Sequence, residues 1–303
     1  MKSLLTISLP QGGRDLLLSG GADGALLLWD VESGERLQLL RTGHTTGGLL
    51  ALAPLPTDSD LDGEQKEQAK DAKGSDANTK DEGKTSMTIF SAGSDRTIRR
   101  FSLSHSNPRS GRSLGPPLEE IHPEAPIIAH ETSVNGLTFA SDSQLWTASA
   151  DETAKCLLPN LTDPPHWKVN TTLQHGGYVR AVTVDTEGGL IITAGRSEEV
   201  KIWDAETGEL EWSYEGHYDE ITGLVVLEAR REVVSISVDG TVRRWGLSGG
   251  DIAAAKLKAR EEEERRERGE GGGGEEDDGE GQSAGVGLTE EEERELAELM
   301  EEG

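Results

Sequence analysis

Several things are scarce in this sequence. Cysteine occurs once, as Cys156, which excludes an intramolecular disulfide and any zinc site built from several thiolates. Aromatic residues make up 4% and hydrophobic residues 33% of the 303 positions. That is little for a uniformly packed globule of this length, so part of the chain is expected to stay unfolded. Basic residues are outnumbered, 30 Lys and Arg against 57 Asp and Glu, for a formal charge of −27. Contact with a phosphate backbone needs clustered Lys and Arg, so direct nucleic-acid binding is not expected. No apolar run approaches the length of a membrane-spanning helix. The opening, MKSLLTISLP, has no small-residue cleavage site behind it and does not read as a signal peptide. These absences describe a soluble protein of a reducing compartment, with no membrane partner.

What is present is repetition. The segments SGGADGALLLW, SAGSDRTIRRF, TASADETAKCL, TAGRSEEVKIW and SISVDGTVRRW share one grammar. A hydroxyl residue stands four positions before a turn residue, and a bulky apolar residue six positions after it. The triples are Ser19/Asp23/Trp29, Ser91/Asp95/Phe101, Thr147/Asp151/Leu157, Thr193/Ser197/Trp203 and Ser235/Asp239/Trp245. Successive turns are 72, 56, 46 and 42 residues apart, the last two close to a period of about 40–45 and the first two lengthened by insertions. Each copy alternates apolar and polar positions, as in VKIW and ITGLVV, which is the pattern of a strand meander. Four histidines precede turns: His44, His130, His175 and His217.

With Gly43-His44, Gly216-His217, Trp29-Asp30 and Trp203-Asp204, these copies resemble the WD40 repeat family over residues 1–248. The resemblance implies an all-β propeller with five recognisable blades, near 3–42, 45–128, 131–173, 177–215 and 218–248. Such sheets cover their faces by stacking radially on one another. It also implies that histidine, hydroxyl, turn Asp and Trp form a hydrogen-bonded chain inside each blade, satisfying groups that are costly to bury alone. Only the last copy has all four members, His217, Ser235, Asp239 and Trp245. Phe101 and Leu157 replace Trp, Ser197 replaces Asp, and the first copy has no histidine. Closed rings of this family usually hold seven blades. The expectation is therefore an incomplete or N-terminally truncated propeller, ahead of a partner donating blades or an irregular five-bladed ring, because an unpaired sheet edge invites aggregation.

Outside the repeats the composition shifts. Residues 58–86 are polar and aperiodic and read as a disordered insertion. Residues 104–124, with several Pro, Gly and Ser, read as a surface loop. From Asp251 to Gly303 there are 20 acidic and 7 basic residues, a net of −13. Within that stretch, 249–268 reads as a charged helix capped by Asp251, with Glu261/Arg265, Glu262/Arg266 and Glu264/Arg268 at i,i+4. Residues 269–287 read as a Gly/acidic linker. Residues 288–303 read as a short acidic helix with a Thr289/Glu292 capping box. Its stripe of Leu296, Leu299 and Met300 could dock in a partner's groove, and a frayed acidic terminus weighs equally.

No catalytic constellation stands out. Four histidines belong to the repeats, HExxH, GxSxG and P-loop signatures are missing, and Cys156 reads as a small strand residue. Neither a cofactor nor a metal is expected, and the chain reads as a binding platform. The resemblance implies partners on the top face, lined by residues just after each histidine and just before each turn. There stand Asn135, Tyr178, Arg180, Glu220 and Thr222, with Arg196 before the fourth turn. Tyr178, Arg180 and Arg196 make an aromatic with two guanidiniums, suited to an acidic or phosphorylated peptide. The plainer alternative pairs both arginines with Glu198, Glu199 or Glu220. The reading is a non-catalytic scaffold in a nuclear or cytoplasmic complex. The other candidate is an acidic chaperone or assembly factor for basic clients such as ribosomal proteins or histones.

Overall fold

Short β-branched and leucine-rich runs punctuated by Asp-Gly and Gly-containing turns can only bury their apolar faces as hairpins stacked on hairpins. The computed structural model describes residues 3–8, 15–44, 48–55, 84–106, 118–122, 125–140, 144–160 and 166–268, and these form five antiparallel sheets. The first contains β1 (Ser3–Ser8), β2 (Asp15–Gly20), β3 (Ala25–Asp30) and β4 (Arg36–Arg41). The second contains β5 (Leu49–Pro54), β6 (Lys84–Gly93), β7 (Thr97–Ser106), β8 (Leu118–Ile121) and β9 (Ile127–Ile128). Here β8 and β9 both pair with β7, making one outer strand in two pieces. The third is β10 (Val134–Phe139), β11 (Leu145–Ser149), β12 (Thr153–Asn160) and β13 (His166–Gln174). The fourth is β14 (Val179–Asp185), β15 (Leu190–Gly195), β16 (Val200–Asp204) and β17 (Leu210–Tyr214). The fifth has three strands, β18 (Ile221–Leu227), β19 (Glu232–Ser237) and β20 (Val242–Gly246), and is followed by α1 (Gly249–Glu267).

The first strands of successive sheets lie side by side, β1 against β5, β5 against β10, β10 against β14 and β14 against β18. This is the fan of a β-propeller. No comparable contact joins β18 back to β1 among the described residues. The core is correspondingly layered, one apolar layer per junction. Ile7, Leu16, Leu18 and Leu28 meet Leu49, Ile89 and Phe101. Phe90 and Ile98 meet Val134, Leu145 and Leu157. Trp146 and Ala154 meet Val179, Ile191 and Trp203. Ile192 and Ile202 meet Ile221, Val233 and the half-buried Trp245. In every layer the bulky residue six past the turn faces the sheet before its own.

Several boundaries differ from the sequence reading. The hairpin of β6 and β7 is long, with Lys84 opposite Ser106, so strand covers 84–86 of the expected insertion 58–86 and 104–106 of the expected loop 104–124. Leu118 pairs with Leu103 and adds a further strand inside that loop. Apolar Met87, Leu103 and Leu118 pack in the first layer and carry the pairing into flanks that are polar in sequence. The remainder of both insertions lies outside the described residues. The cap of α1 is Ser248 in place of Asp251. Its Oγ accepts the Asp251 N–H at 3.2 Å, which serves the helix N-terminus one turn earlier. The helical ion pairs are Lys258–Glu262 and Arg260–Glu264, not the Glu261/Arg265, Glu262/Arg266 and Glu264/Arg268 set. The expected linker 269–287 and helix 288–303, with Leu296, Leu299 and Met300, also lie outside the described residues.

Candidate functional site

Each hairpin turn between the second and third strands carries its side chains to one end of the fan, where the histidine loops also arrive. In the fifth sheet the indole Nε1–H of Trp245 donates to Ser235 Oγ at 2.9 Å. Ser235 Oγ lies 2.7 Å from His217 Nε2, and His217 Nδ1 lies 2.8 Å from Asp239 Oδ2. An indole can only donate, so the hydroxyl hydrogen is free for Nε2 and the ring hydrogen at Nδ1 serves the carboxylate. The second sheet joins His44 to Ser91 and Asp95, both at 2.8 Å. The third joins His130 to Thr147 at 2.7 Å and Asp151 at 2.8 Å. Phe101 and Leu157 fill the indole's place by packing alone. In the fourth sheet the ring of His175 faces the other way, with Nδ1 2.9 Å from Thr193 Oγ1 and Nε2 2.9 Å from Ser197 Oγ. There Trp203 donates to Thr193 at 2.7 Å. In the first sheet Trp29 donates to Ser19 at 2.9 Å, and among the described residues Asp23 holds its own turn, accepting from the Ala25 amide at 3.2 Å.

The electrostatics match this wiring. Burial lowers the pKa of His44 and His130 below the usual 6.5, although Asp95 and Asp151 pull the other way. Burial alone would raise the Asp151 carboxyl, but the Thr153 hydroxyl and His130 bring it down to about 2. Against the same burial effect, Asp95 is held low chiefly by His44 and Thr97, and Asp239 chiefly by Thr241 and the Tyr218 amide. His175 has no carboxylate on its ring. Burial, then the nearby Lys201 charge, lowers it to about 4 against a weaker pull from Glu199. These are buried, neutral imidazoles used as connectors.

Two recurrent members escaped the sequence reading. Thr97, Thr153 and Thr241, two past the turn, donate to the turn carboxylates at 2.9, 2.6 and 2.7 Å. A basic residue four past the turn reaches the main chain beside the histidine. Arg99 donates to Gly43 O, Lys155 to Ala129 O and Lys201 to His175 O, at 2.9, 2.8 and 2.7 Å. Arg243 differs, its guanidinium lying 5.9 Å from the ring centroid of Tyr218. Both positions recur in the sequence, and their spacing from the turn was the available signal.

The candidate contact residues lie along the same end. Pairing registers slip at the start of β5, β10, β14 and β18, leaving one extra residue at each. Asn135, Arg180 and Thr222 are three of these bulge residues, and a bulge re-aims its side chain. Asn135 is spent on structure, donating to Val179 O at 2.8 Å across the third and fourth sheets. Thr222 donates to Ile236 O at 3.4 Å. Arg180 Nε meets Glu220 Oε1 at 3.1 Å, joining the fourth sheet to the fifth. Among the described residues Arg196 pairs with none of the three glutamates Glu198, Glu199 and Glu220. Its guanidinium lies 5.5 Å from the ring centroid of Tyr178, which is 44% exposed, and its amide donates to Tyr178 O at 2.9 Å. Tyr218, 80% exposed, and Val238, 59% exposed, extend the apolar surface over the fifth sheet. Cys156 is buried and its thiol donates to Gln144 Oε1 at 3.3 Å. Among the described residues no cluster of His, Cys, Asp and Glu could hold a metal ion.

The model of the WD domain, G-beta repeat, matches residues 167–204. Residues 167–204 are thus a WD40 repeat, and the chain as a whole is similar to WD40-repeat proteins. A WD repeat-containing protein of Schizosaccharomyces pombe, itself uncharacterised, is 28% identical over 241 residues, covering 77% of this chain and 51% of that protein. THO complex subunit 6 of Arabidopsis thaliana is 24% identical over 186 residues, 52% of this chain and 51% of the relative. Telomerase protein component 1 of Rattus norvegicus is 25% identical over 167 residues, 55% of this chain and 6% of the relative. The chain thus spans about half or less of the length of these relatives. Kinship with WD40-repeat proteins supports a general role in holding other proteins.

Proposed function

We propose that this WD40 chain is a non-catalytic scaffold within a nuclear or cytoplasmic protein complex. Its top face over the fourth and fifth sheets receives an acidic or phosphorylated peptide. The observation that carries this reading is Arg196, held over the exposed ring of Tyr178 with no carboxylate partner among the described residues. Arginine and tyrosine are the residue types that dominate protein-interface energetics, and a guanidinium fork matches a carboxylate or phosphate. Arg180 is an adjacent second cation. Its ion pair with Glu220 leaves the arginine side chain 41% exposed, and so open a pair is worth only about 0–1 kcal/mol, little for an anionic ligand to displace.

The test is the double substitution Arg180→Glu with Arg196→Glu in the full chain, its fold checked by circular dichroism. Affinity purification from cell extract should then lose the main associated protein. An unchanged set of associated proteins overturns the assignment. The formal charge of −27 supports the chaperone for basic clients as a second reading. A chaperone loses its clients on deletion of residues 269–303, whereas a scaffold using the top face keeps its partner through that deletion; raised ionic strength weakens both.

A further inference from the structure

The layer between two neighbouring sheets has a second end, away from the histidine loops. There the loop joining the first strand to the second meets the chain leaving the third. Matching main-chain bonds align this end from one sheet to the next. Leu247 N donates to Arg231 O at 2.8 Å in the fifth sheet, and Ala205 N donates to Gly189 O at 2.8 Å in the fourth. Both acceptor residues are left-handed, Arg231 at φ 51° and Gly189 at φ 63°. Ala205 therefore corresponds to Leu247, and Gly189 to Arg231.

Between the fourth and fifth sheets this end is full. Leu247 and Ile252 pack in the layer with Ile192 and Val233, and the Arg231 guanidinium donates to the buried Asp185 at 2.7 Å. Between the second and third sheets it is full as well, with Phe139 and Trp167 closing on Phe90 at ring-centroid distances of 5.1 and 5.2 Å. Between the third and fourth sheets the filling residues are small. Ala205 stands in place of leucine and Gly189 in place of arginine, and a side chain begun at Gly189 would meet nothing within 4 Å. What remains is a cleft of about 290 Å³, with Trp146 and Ile191 buried at its base and Val184, Ala205, Gly189 and Glu206 around it. Close-packed interiors leave few spaces larger than a water molecule, and an apolar cavity of about 150 Å³ already holds a benzene ring.

We propose that this cleft docks a partner peptide that inserts one leucine- or isoleucine-sized side chain and carries Lys or Arg beside it. The molecule's own filling of the next layer sets the anchor, since Leu247 and Ile252 are the aliphatic groups that fit there. The rim sets the charge. Glu206 is exposed and makes no ion pair among the described residues, and the turn bearing Gly189 also carries the exposed Glu187. A cation next to the anchor would therefore meet carboxylates as it docks. The chain's own stripe of Leu296, Leu299 and Met300 is set among Glu295, Glu298 and Glu301 and would meet like charge. In a second copy, Ile252 is already buried in its own layer.

A library of random peptides displayed on phage is the probe, selected on the full chain and followed up as synthetic peptides by fluorescence anisotropy. Selected sequences should place Leu, Ile or Met next to Lys or Arg. Ala205→Leu, which installs the residue found at 247, should weaken their binding by about tenfold or more. Glu206→Lys should weaken it by about three- to tenfold, and lies on the surface, so it keeps the test standing if leucine at 205 does not fit. Arg180→Glu with Arg196→Glu, at the opposite end of the sheets, should leave it unchanged. An empty selection, or one in which no peptide responds to either substitution, overturns the proposal. So does a marked gain in affinity on deleting residues 269–303, because Leu296, Leu299 and Met300 would then hold the cleft. A dimer in light scattering that Ala205→Leu dissociates overturns it too, giving the cleft to a second copy.

Discussion

Ser197 stands where its counterparts in the other repeats are aspartates, and this single difference changes how His175 titrates. Buried, beside the Lys201 charge and with no carboxylate to accept from it, the ring stays neutral down to a pKa of about 4, whereas an unfolded histidine protonates near 6.5. Above pH 6.5 neither state takes up a proton and the folded state bears no penalty. As pH falls from 6.5 toward 4 the unfolded chain gains a proton that the folded chain refuses, and stability is lost at up to about 1.4 kcal/mol per pH unit for this one group. His44 and His130, also lowered by burial, lose stability in the same direction below pH 6.5. Asp151 acts lower: its contribution is present above the ordinary carboxylate value of 3.8 and disappears as pH falls toward about 2. Ser197→Asp should give His175 a carboxylate partner, raise its pKa and narrow the difference between melting midpoints at pH 7 and pH 5 by about 2–4 °C. An unchanged difference would show that Asp at 197 does not reach the ring.

The same turns contain a regularity of backbone. The residue after each turn position is left-handed: Gly24 and Gly240 at φ 73° and 80°, but Arg96, Glu152 and Glu198 at 61°, 68° and 65°. A side chain in that region costs about 1–2 kcal/mol, and glycine is exempt. Glu152 and Glu198 are exposed, so Glu152→Gly and Glu198→Gly should each stabilise by about 0.5–1 kcal/mol, less what the freer unfolded glycine takes back. Thermal melts would read this as a rise, and a fall at either site would contradict it. The hairpin geometry also explains what could be read from the sequence. A tight turn fixes the offset between strands, so hydroxyl and indole four before and six after it fall diagonally on one face, as Ser19 and Trp29 do. That spacing survived insertions in the second repeat because they join the hairpin at the ends of its strands farthest from the turn. The bulges at Asn135, Arg180 and Thr222 were not legible, since a bulge comes from the fit between strands and leaves no fixed residue type behind. Nor was the exchange of Asp251 for Ser248 as cap, which depends on where β20 ends. The pairing of Arg180 with Glu220 was among the alternatives, but the stacking of Arg196 on Tyr178 needed coordinates, because the two residues are 18 positions apart in sequence.

At the scale of the molecule, α1 is attached by its first turn. Ile252 is 7% and Leu247 1% exposed, in the layer between the fourth and fifth sheets. Tyr214 stacks on Trp245 at 5.2 Å and donates to Gly246 O at 2.7 Å. Beyond that turn the helix offers Leu257, 59% exposed, and surface ion pairs. Ile252→Ala should therefore cost about 2–3 kcal/mol in chemical denaturation, and Leu257→Ala close to nothing; equal losses would mean that the helix lies on the sheets along its whole length. The layered core has a further consequence. Among the described residues, each sheet is braced by those beside it, so the three inner sheets are held from two directions and the two end sheets from one. Opening of the structure is then graded along the chain, loosening inward from both extremities and sparing the third sheet longest. A partner on the proposed Tyr178–Arg196 ridge, at the boundary of the fourth and fifth sheets, would work as a clamp on the weaker half of that gradient.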